Sequence, residues 1–391
     1  MVQTHFRDGA VVLYKRGESN KYQARLRLAG SKWKRISTGE SDLKLASQIA
    51  CEKYDEIRFR VKNNLALDTR RFRDVAHLAI KELQGELEAG YGKVAYVSYI
   101  GAIKGHFIPF FDSKHIDKID YKILKEFDIW RTKKLGRPPK RSTLNNHNAA
   151  LRRVFKIALD NNWIHAFQVP ELKNKGEKSK RRPYFTRSEY RQLYRFMRKW
   201  HKTGKKERTR WIRELLRDYV LILVNTGMRF GTESQNLKWK DVELFEQGGV
   251  NYLRFWVTGK TGERELIARH SVKRYLERIK NRSPDLKNRT LSDLRNVNDY
   301  VFRLIDGSQP NDLHGAFEIL LKESGLHLDR HGNKRSLYSL RHTYATFQIL
   351  NGIDYHRLAK NMGTSIGMLE KHYSHLTPTL AAKELAGKTR E

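Results

Sequence analysis

The sequence predicts a multidomain chain in three parts: a small β-β-β-α module, an all-α domain, and a mixed α+β, mainly α, domain. Three observations predict it. In the first forty residues three short strand-like runs are separated by turn-forming stretches, and over Tyr22–Leu28 apolar and polar side chains alternate, the period of a half-buried strand. From about residue 68 to 170 the apolar spacing is helical throughout. Beyond a polar, basic stretch, strand and helix patterns are mixed. The expected divisions are 1–65, 66–172, a linker at 173–182, and 183–391.

In the first part, strands are expected over Ala10–Lys15, Lys21–Leu28 and Lys32–Ser37, separated by turn-forming Gly17-Glu18-Ser19-Asn20 and Ala29-Gly30-Ser31. Tyr22, Ala24, Leu26 and Leu28 alternate with Gln23, Arg25 and Arg27, so one face is apolar and the other basic. Leu43, Ala46, Ala50, Tyr54, Ile57 and Val61 then recur at helical spacing and can cover the apolar face. A sheet whose outer face carries Arg25 and Arg27 suits a DNA groove, and it equally suits a solvated basic surface.

In the second part, Leu151, Val154, Phe155 and Ala158 form a core stripe on a helix expected to start near a Ser142/Thr143 cap. Lys133, Lys134, Arg137, Lys140 and Arg141 crowd its approach, around the basic loop Gly136-Arg137-Pro138-Pro139. The linker that follows, from Lys173 to Arg182, has no apolar residue. It reads as a flexible hinge whose Lys178, Lys180 and Arg181 are attracted to backbone phosphates.

In the third part, Thr186 and Glu189 form a capping box that opens a helix. Leu215, Leu216, Tyr219, Val220 and Leu223 form a buried helical face running into Thr226-Gly227. Asn251–Val257 and Glu263–Ala268 read as strands of a hairpin with Lys260 at its tip. Helices resume after Tyr338, with breaks at Asn351-Gly352 and Met362-Gly363.

Composition narrows the partner. The 391 residues carry 78 Lys+Arg against 43 Asp+Glu, a formal charge of +35, which points to a polyanion. At 39% hydrophobic residues the chain still builds packed cores. The single cysteine, Cys51, excludes an internal disulfide framework and a cysteine-rich zinc site. No apolar run approaches the ~18 residues of a membrane span, and the N-terminus lacks a signal-peptide core. The expectation is a soluble, cytoplasmic protein that binds nucleic acid and has no membrane partner.

Three separated segments share one chemistry: Thr226-Gly227-Met228-Arg229, Tyr338-Ser339-Leu340-Arg341-His342-Thr343, and Glu370-Lys371-His372-Tyr373. An arginine presents a planar fork of donors that fits two phosphate oxygens and stays charged. A tyrosine phenol beside such charge can become a nucleophile and form a covalent intermediate. Singly, each has an ordinary reading: Arg229 as a solvated arginine at a helix end, Tyr373 as a core tyrosine, Lys260 as a turn lysine. Their joint occurrence in a cationic chain is what carries the functional reading.

In these segments residues 183–391 resemble the catalytic domain of the tyrosine recombinases, the phage-integrase type. Thr226–Arg229 with Glu233, Leu237, Trp239 and Asp241 is similar to the first arginine box, although Glu233 falls four residues after the arginine, one further than is common. Ser339–Thr343 is similar to the second box, and Glu370–Tyr373 to the nucleophile segment. The upstream parts resemble a helical core-binding domain and an arm-type DNA-binding domain. Tyr338 and Thr364 depart from the pattern, standing where histidine, and histidine or tryptophan, are usual.

The resemblance implies that Arg229 and Arg341 grip the scissile phosphate and stabilise charge in the transition state. It implies that Tyr373 attacks, leaving a 3′-phosphotyrosine and a free 5′-hydroxyl, and that Lys260 protonates the leaving oxygen. Tyr338 and Thr364 complete the expected site. The ester retains the bond energy, so neither metal nor nucleotide cofactor is expected. The base that activates Tyr373 is left open: His342 and His372 read as structural, and neighbours at i and i+1 on a helix do not face the same way. The expectation is a bacterial, nucleoid-associated recombinase of a phage or other mobile element, acting as a homotetramer on double-stranded DNA, with an accessory DNA-bending protein as a further partner. Leu380, Ala381 and Leu385 are expected on a helical face that docks on a neighbouring protomer. The alternatives are a type IB topoisomerase and, from a different class, a catalytically silent DNA-binding repressor or architectural protein on the same scaffold.

Overall fold

The computed structural model describes residues 3–28, 32–177, 183–259, 262–310 and 313–373. Several expectations fall outside them: Lys260, the linker cations Lys178, Lys180 and Arg181, and the face of Leu380, Ala381 and Leu385. The chain divides into two compact units, Met1–Ser179 and Lys180–Glu391.

The first unit opens with an antiparallel sheet of β1 (Thr4–Phe6), β2 (Val11–Lys15), β3 (Tyr22–Arg27) and β4 (Trp33–Ser37), in that order. The sequence predicts three of these strands. At three residues β1 is too short to show an alternation, and pairing with β2, Thr4 opposite Leu13, is what makes it a strand. Val11, Leu13, Ala24 and Leu26 are buried against Ala46, Ala50 and Ile57 of α1 (Leu43–Lys62). Leu43 and Val61, expected in the same stripe, are exposed. A helix of 20 residues runs about 30 Å, whereas a 6-residue strand runs about 20 Å, so the ends of α1 overhang the sheet. On the outer face Arg25 lies opposite Arg35 and 5.0 Å over the half-exposed Trp33 ring.

A helical array completes this unit: α2 (Phe72–Glu88), α3 (Ala95–Ala102), α4 (Ile108–Phe111), α5 (Tyr121–Leu135) and α6 (Arg141–Asp160). A single π turn, Ile103–Phe107, joins α3 to α4. Phe72, Phe107, Phe111, Phe127 and Phe155 fill the centre with Leu151, Val154 and Ala158 of the predicted stripe. The helix begins at Arg141, ahead of the predicted Ser142/Thr143 cap, and has no side-chain cap. Lys140 is extended there and bridges Glu177, whose carbonyl accepts the Arg141 amide at 3.0 Å. The start of the linker is therefore tied down. Asn174 donates to the Arg141 carbonyl at 2.9 Å, and a Cβ on Gly176 would fall 2.6 Å from the Arg141 nitrogen. Arg60 of α1 joins the sheet module to the helical array. It is 3% exposed and donates to Asp117 at 2.7 Å and to the Ala66 and Trp163 carbonyls at 3.0 and 3.2 Å.

The second unit is mainly helical around one central helix. α7 (Arg187–Trp200) opens with the predicted capping box, the Glu189 amide donating to Thr186 Oγ1 and the Thr186 amide to the Glu189 carboxylate. In α8 (Glu207–Thr226) every residue from Asp218 to Thr226 is buried, as expected of a helix packed on all sides. α10 (Ser271–Arg282) and α12 (Leu337–Leu350) pack directly against it. The short α9 (Thr232–Gln235) leads to a second antiparallel sheet of β5 (Val242–Gln247), β6 (Val250–Gly259) and β7 (Gly262–Ala268). The sequence predicts β6 and β7 and misses β5. α11 (His314–Glu323) closes the main core. The last helices, α13 (Tyr355–Met362) and α14 (Ile366–Tyr373), form a smaller cluster with α12 through Tyr344, Ala345, Leu358, Met362, Leu369 and Tyr373.

Candidate active site

Arg229 owes its position to the glycine that ends α8. Gly227 sits at φ 67° and its amide caps the Leu223 carbonyl at 3.0 Å. A Cβ there would lie 2.3 Å from the Tyr344 ring, so a glycine is needed for conformation and for space. Arg229 then projects toward Glu233. Its amide donates to Glu233 Oε2 at 2.8 Å, and its guanidinium donates to Oε1 and to the Gly363 carbonyl. Gly231, at φ 81°, turns the intervening chain back. That turn lets the carboxylate reach the arginine despite the longer spacing.

Arg341 lies on α12 and is 5% exposed. It donates to the Gly227 carbonyl at 2.5 Å and to the Met362 carbonyl at 2.7 Å. Burial, then the neighbouring Arg229 charge, lowers its pKa to about 10, which still leaves it cationic at neutral pH. A third arginine, Arg264 of β7, was not singled out in the sequence. It donates to Glu233 Oε2 at 2.9 Å and to the Asn361 carbonyl. Arg264, Arg341 and Arg229 thus engage the consecutive carbonyls of Asn361, Met362 and Gly363 at the C-terminus of α13. A helix C-terminus is the negative end of its dipole, so it gathers cations. Two of the three guanidiniums, those of Arg229 and Arg264, bond the one carboxylate of Glu233, and the excess positive charge suits an anion.

Tyr373, at the end of α14, is 5% exposed. Its hydroxyl is 2.5 Å from His342 Nδ1. Burial pushes its phenol well above the ordinary range, with the Arg341 charge pulling against that. Tyr338 packs one turn before His342 on α12, ring centroids 5.2 Å apart, and contacts Phe230 edge-on at 6.1 Å. His372 meets the His342 ring at 5.5 Å. Thr364 is half-buried just beyond Gly363, its amide on the Ala359 carbonyl at 3.0 Å. Arg229, Arg341, Tyr338, Thr364 and Tyr373 are therefore gathered around α12 and the α13–α14 turn.

At the base of the β6–β7 hairpin, a Cβ on Gly259 would fall 2.9 Å from Glu233 Oε1 and 3.5 Å from Arg229 Nη1. Among the described residues no group of three or more His, Cys, Asp and Glu side chains could hold a metal ion. No described helix is long and apolar enough to cross a membrane.

Of the cations assigned to DNA from sequence, Lys133, Arg137, Lys140 and Arg141 are exposed around the α5–α6 loop. Lys134 is partly committed, donating to the Gly105 carbonyl at 2.6 Å and lying 4.8 Å over the Trp130 ring. On the sheet Arg27 is exposed and Arg25 half-buried. Arg35, directly opposite Arg25, was missed. It becomes visible once the register is known, because like charges facing across a ladder repel and an anion relieves them.

A model of the phage integrase family matches residues 183–379. The structure is similar to that of the Tn1549 transposon integrase in complex with transposon right end DNA, with a TM-score of 0.56, 21% identity, and 80% of this chain and 98% of that one covered. It is similar to the XerH site-specific recombinase bound to a palindromic difH substrate, with a TM-score of 0.57, 19% identity, and coverage of 86% and 88%. It is also similar to a lambda integrase tetramer bound to a Holliday junction, with a TM-score of 0.56, 15% identity, and coverage of 91% and 94%. At these identities the likeness is one of fold. No curated protein matches the chain.

Proposed function

The chain belongs to the phage integrase family, and on that premise we propose that it is a site-specific recombinase that cuts and rejoins duplex DNA. Arg229 and Arg341 grip the non-bridging oxygens of the scissile phosphate. Their donors exchange backbone carbonyls for phosphate, and two fixed cations stabilise the charge that builds on the pentavalent transition state. Tyr373 attacks phosphorus, leaving a 3′-phosphotyrosine and a free 5′-hydroxyl. Tyr338 and Thr364 contact the same phosphate. Lys260, in the hairpin whose base abuts Arg229, protonates the leaving oxygen. The observation that carries this reading is that Arg229 and Arg341 reach the adjacent carbonyls of Gly363 and Met362 at the end of α13, and Met362 lies in the same small core as Tyr373.

The protein is held on DNA by Lys133, Arg137, Lys140 and Arg141 around one loop and by Arg25, Arg27 and Arg35 on the sheet, and the linker cations Lys178, Lys180 and Arg181 add contacts to backbone phosphates. Duplex DNA as substrate and a homotetramer as the working assembly are supported by the DNA and the tetramer held in the similar structures. The role is integration or excision of a phage or other mobile element.

A pool of nicked duplexes that trap a covalent product tests the proposal. Wild-type protein gives a protein–DNA adduct that survives denaturing electrophoresis, and Tyr373→Phe binds DNA without giving one. An adduct from the phenylalanine variant, or none from the wild type, overturns the assignment.

A further inference from the structure

We infer that His342 is the general base for Tyr373, its Nδ1 taking the phenolic proton as the phenol oxygen bonds to phosphorus. The inference deepens the reading of Tyr373 as nucleophile and rests on it.

The geometry is direct. Nδ1 lies 2.5 Å from the Tyr373 hydroxyl, and both residues are buried. The phenol donates to Nδ1 when the imidazole carries its proton on Nε2, the neutral tautomer a base requires. The two side chains come from different helices, α12 and α14, brought together by the packing of Tyr344, Leu358, Met362 and Leu369. Arg341 and His342 are consecutive and so diverge by about 100° around α12. One faces the α13 carbonyls and the other faces α14. A single helix thereby holds a phosphate-binding cation and the nucleophile's proton acceptor side by side.

The base is needed because the phenol is buried and holds its proton more tightly than a free tyrosine. Almost none of it is phenolate at neutral pH, so the proton must leave as attack proceeds. Among the described residues, the titratable rings packed on the imidazole are Tyr338 on its own helix and His372 and Tyr373 on α14, and Arg341 precedes it in the chain. A phenol is a poor acceptor at neutral pH, and a guanidinium has no lone pair to offer. His342 is the imidazole already bonded to the hydroxyl. Positions 338 and 342 share a helix face one turn apart, and the Tyr338 ring packs on the imidazole at 5.2 Å.

On attack the Oη–P bond forms, the P–O5′ bond breaks, and the phenolic proton moves to Nδ1. The leaving 5′-oxygen is protonated by a separate acid. The covalent intermediate therefore carries an imidazolium at His342. On rejoining, the 5′-hydroxyl gives its proton to the conjugate base of that acid as the P–O5′ bond forms and the P–Oη bond breaks, and His342 returns its proton to Oη.

The test is single-turnover adduct formation against pH, on a nicked duplex selected by covalent capture with wild-type protein. In wild type the rate rises about tenfold per pH unit on an acid limb and then levels, within the range of about pH 5 to 8 where imidazoles titrate. His342→Asn offers an oxygen that can accept the phenol's hydrogen bond but takes no proton. It should bind DNA and melt like wild type, form adduct about 100-fold more slowly, and lose the acid limb. Free imidazole should restore His342→Ala in proportion to its neutral form. A His342→Asn variant that is as fast as wild type, or slow with the acid limb intact, makes His342 a packing or positioning residue and overturns the inference. So does a wild type whose rate is flat over that range. If the alanine variant does not fold, the asparagine profile decides alone. These failures leave the nucleophile reading standing. That reading falls separately, and takes the inference with it, if the wild type forms no adduct or Tyr373→Phe forms one.

Discussion

Arg264 donates from Nη2 to Glu233 Oε2 at 2.9 Å, across 31 residues of sequence, and Glu233 is 1% exposed. The same carboxylate holds both the amide and the guanidinium of Arg229. Glu233 is thus the counter-ion that lets two cations pack side by side beneath the α13 carbonyls. Replacing it by glutamine keeps the volume and removes the charge. Breaking a buried pair in this way costs about 3 kcal/mol, less here because both arginines are partly exposed. Glu233→Gln should melt several degrees below wild type and form adduct far more slowly, because Arg229 loses its support. Unchanged melting and adduct formation would show the carboxylate to be dispensable.

Gly227 and Gly352 separate two reasons for a glycine. Both have left-handed backbone, φ 67° and 83°, but a Cβ on Gly227 would strike the Tyr344 ring at 2.3 Å whereas Gly352 faces open space. Gly352→Ala should cost only the conformational term of about 1–2 kcal/mol. Gly227→Ala should cost a further 1–3 kcal/mol or so for overpacking, and it displaces the carbonyl that holds Arg341. Urea unfolding of the two variants measures the difference. Equal costs would mean that Tyr344 moves aside freely.

Asp218 gives a pH dependence away from the site. It is fully buried, with Arg282 at 2.6 Å, Arg278 at 2.9 Å and Arg217 at 3.2 Å. Burial alone would raise its pKa. The charges of Arg282, Arg217 and Arg278 outweigh burial and hold it below the ordinary 3.8. A carboxyl depressed in the folded state adds stability above its unfolded pKa and loses it as pH falls through the folded value. Asp218→Asn should therefore be much less stable than wild type at pH 7, with the gap narrowing below about pH 4. A gap that stays constant into acid would contradict the charge argument.

What was legible in the sequence was what is local. The alternation of β3 in Ala24 and Leu26, the Thr186–Glu189 box, and the buried run ending at Gly227 each lie within one turn or one strand, where spacing and geometry are linked. The missed β5 was also legible. Gly248 and Gly249, both at positive φ, form the two-residue connection of a hairpin between apolar runs. Short β1 was not, since only its partner strand makes it a strand. In the site, Arg229, Arg341 and Tyr373 stand in recognisable boxes. Arg264, Glu233's second partner, sits on another element, and nothing in its neighbourhood marks it. His342 was set aside because consecutive helix positions diverge. That divergence is what points it at Tyr373, and only the packing of α14 against α12 reveals the target.

The last prediction separates proton transfer from charge stabilisation. Lys260 follows Gly259, which lies at the base of the β6–β7 hairpin beside Glu233 and Arg229. An ammonium can give up a proton, whereas a guanidinium does so poorly. A departing 5′-alkoxide needs that proton because its conjugate acid is very weak. A thiolate does not, since a thiol has a pKa of about 8.5. Lys260→Ala should cleave ordinary DNA slowly, by about 100-fold or more for loss of a general acid, and recover on a duplex with sulfur in place of the bridging 5′-oxygen. Arg229→Ala should gain much less from sulfur, because the non-bridging oxygens it stabilises are the same in both substrates. Comparing the two variants on the two duplexes cancels any shared defect in DNA binding. Equal impairment of Lys260→Ala on oxygen and sulfur would make the lysine a positioning contact and place the acid elsewhere.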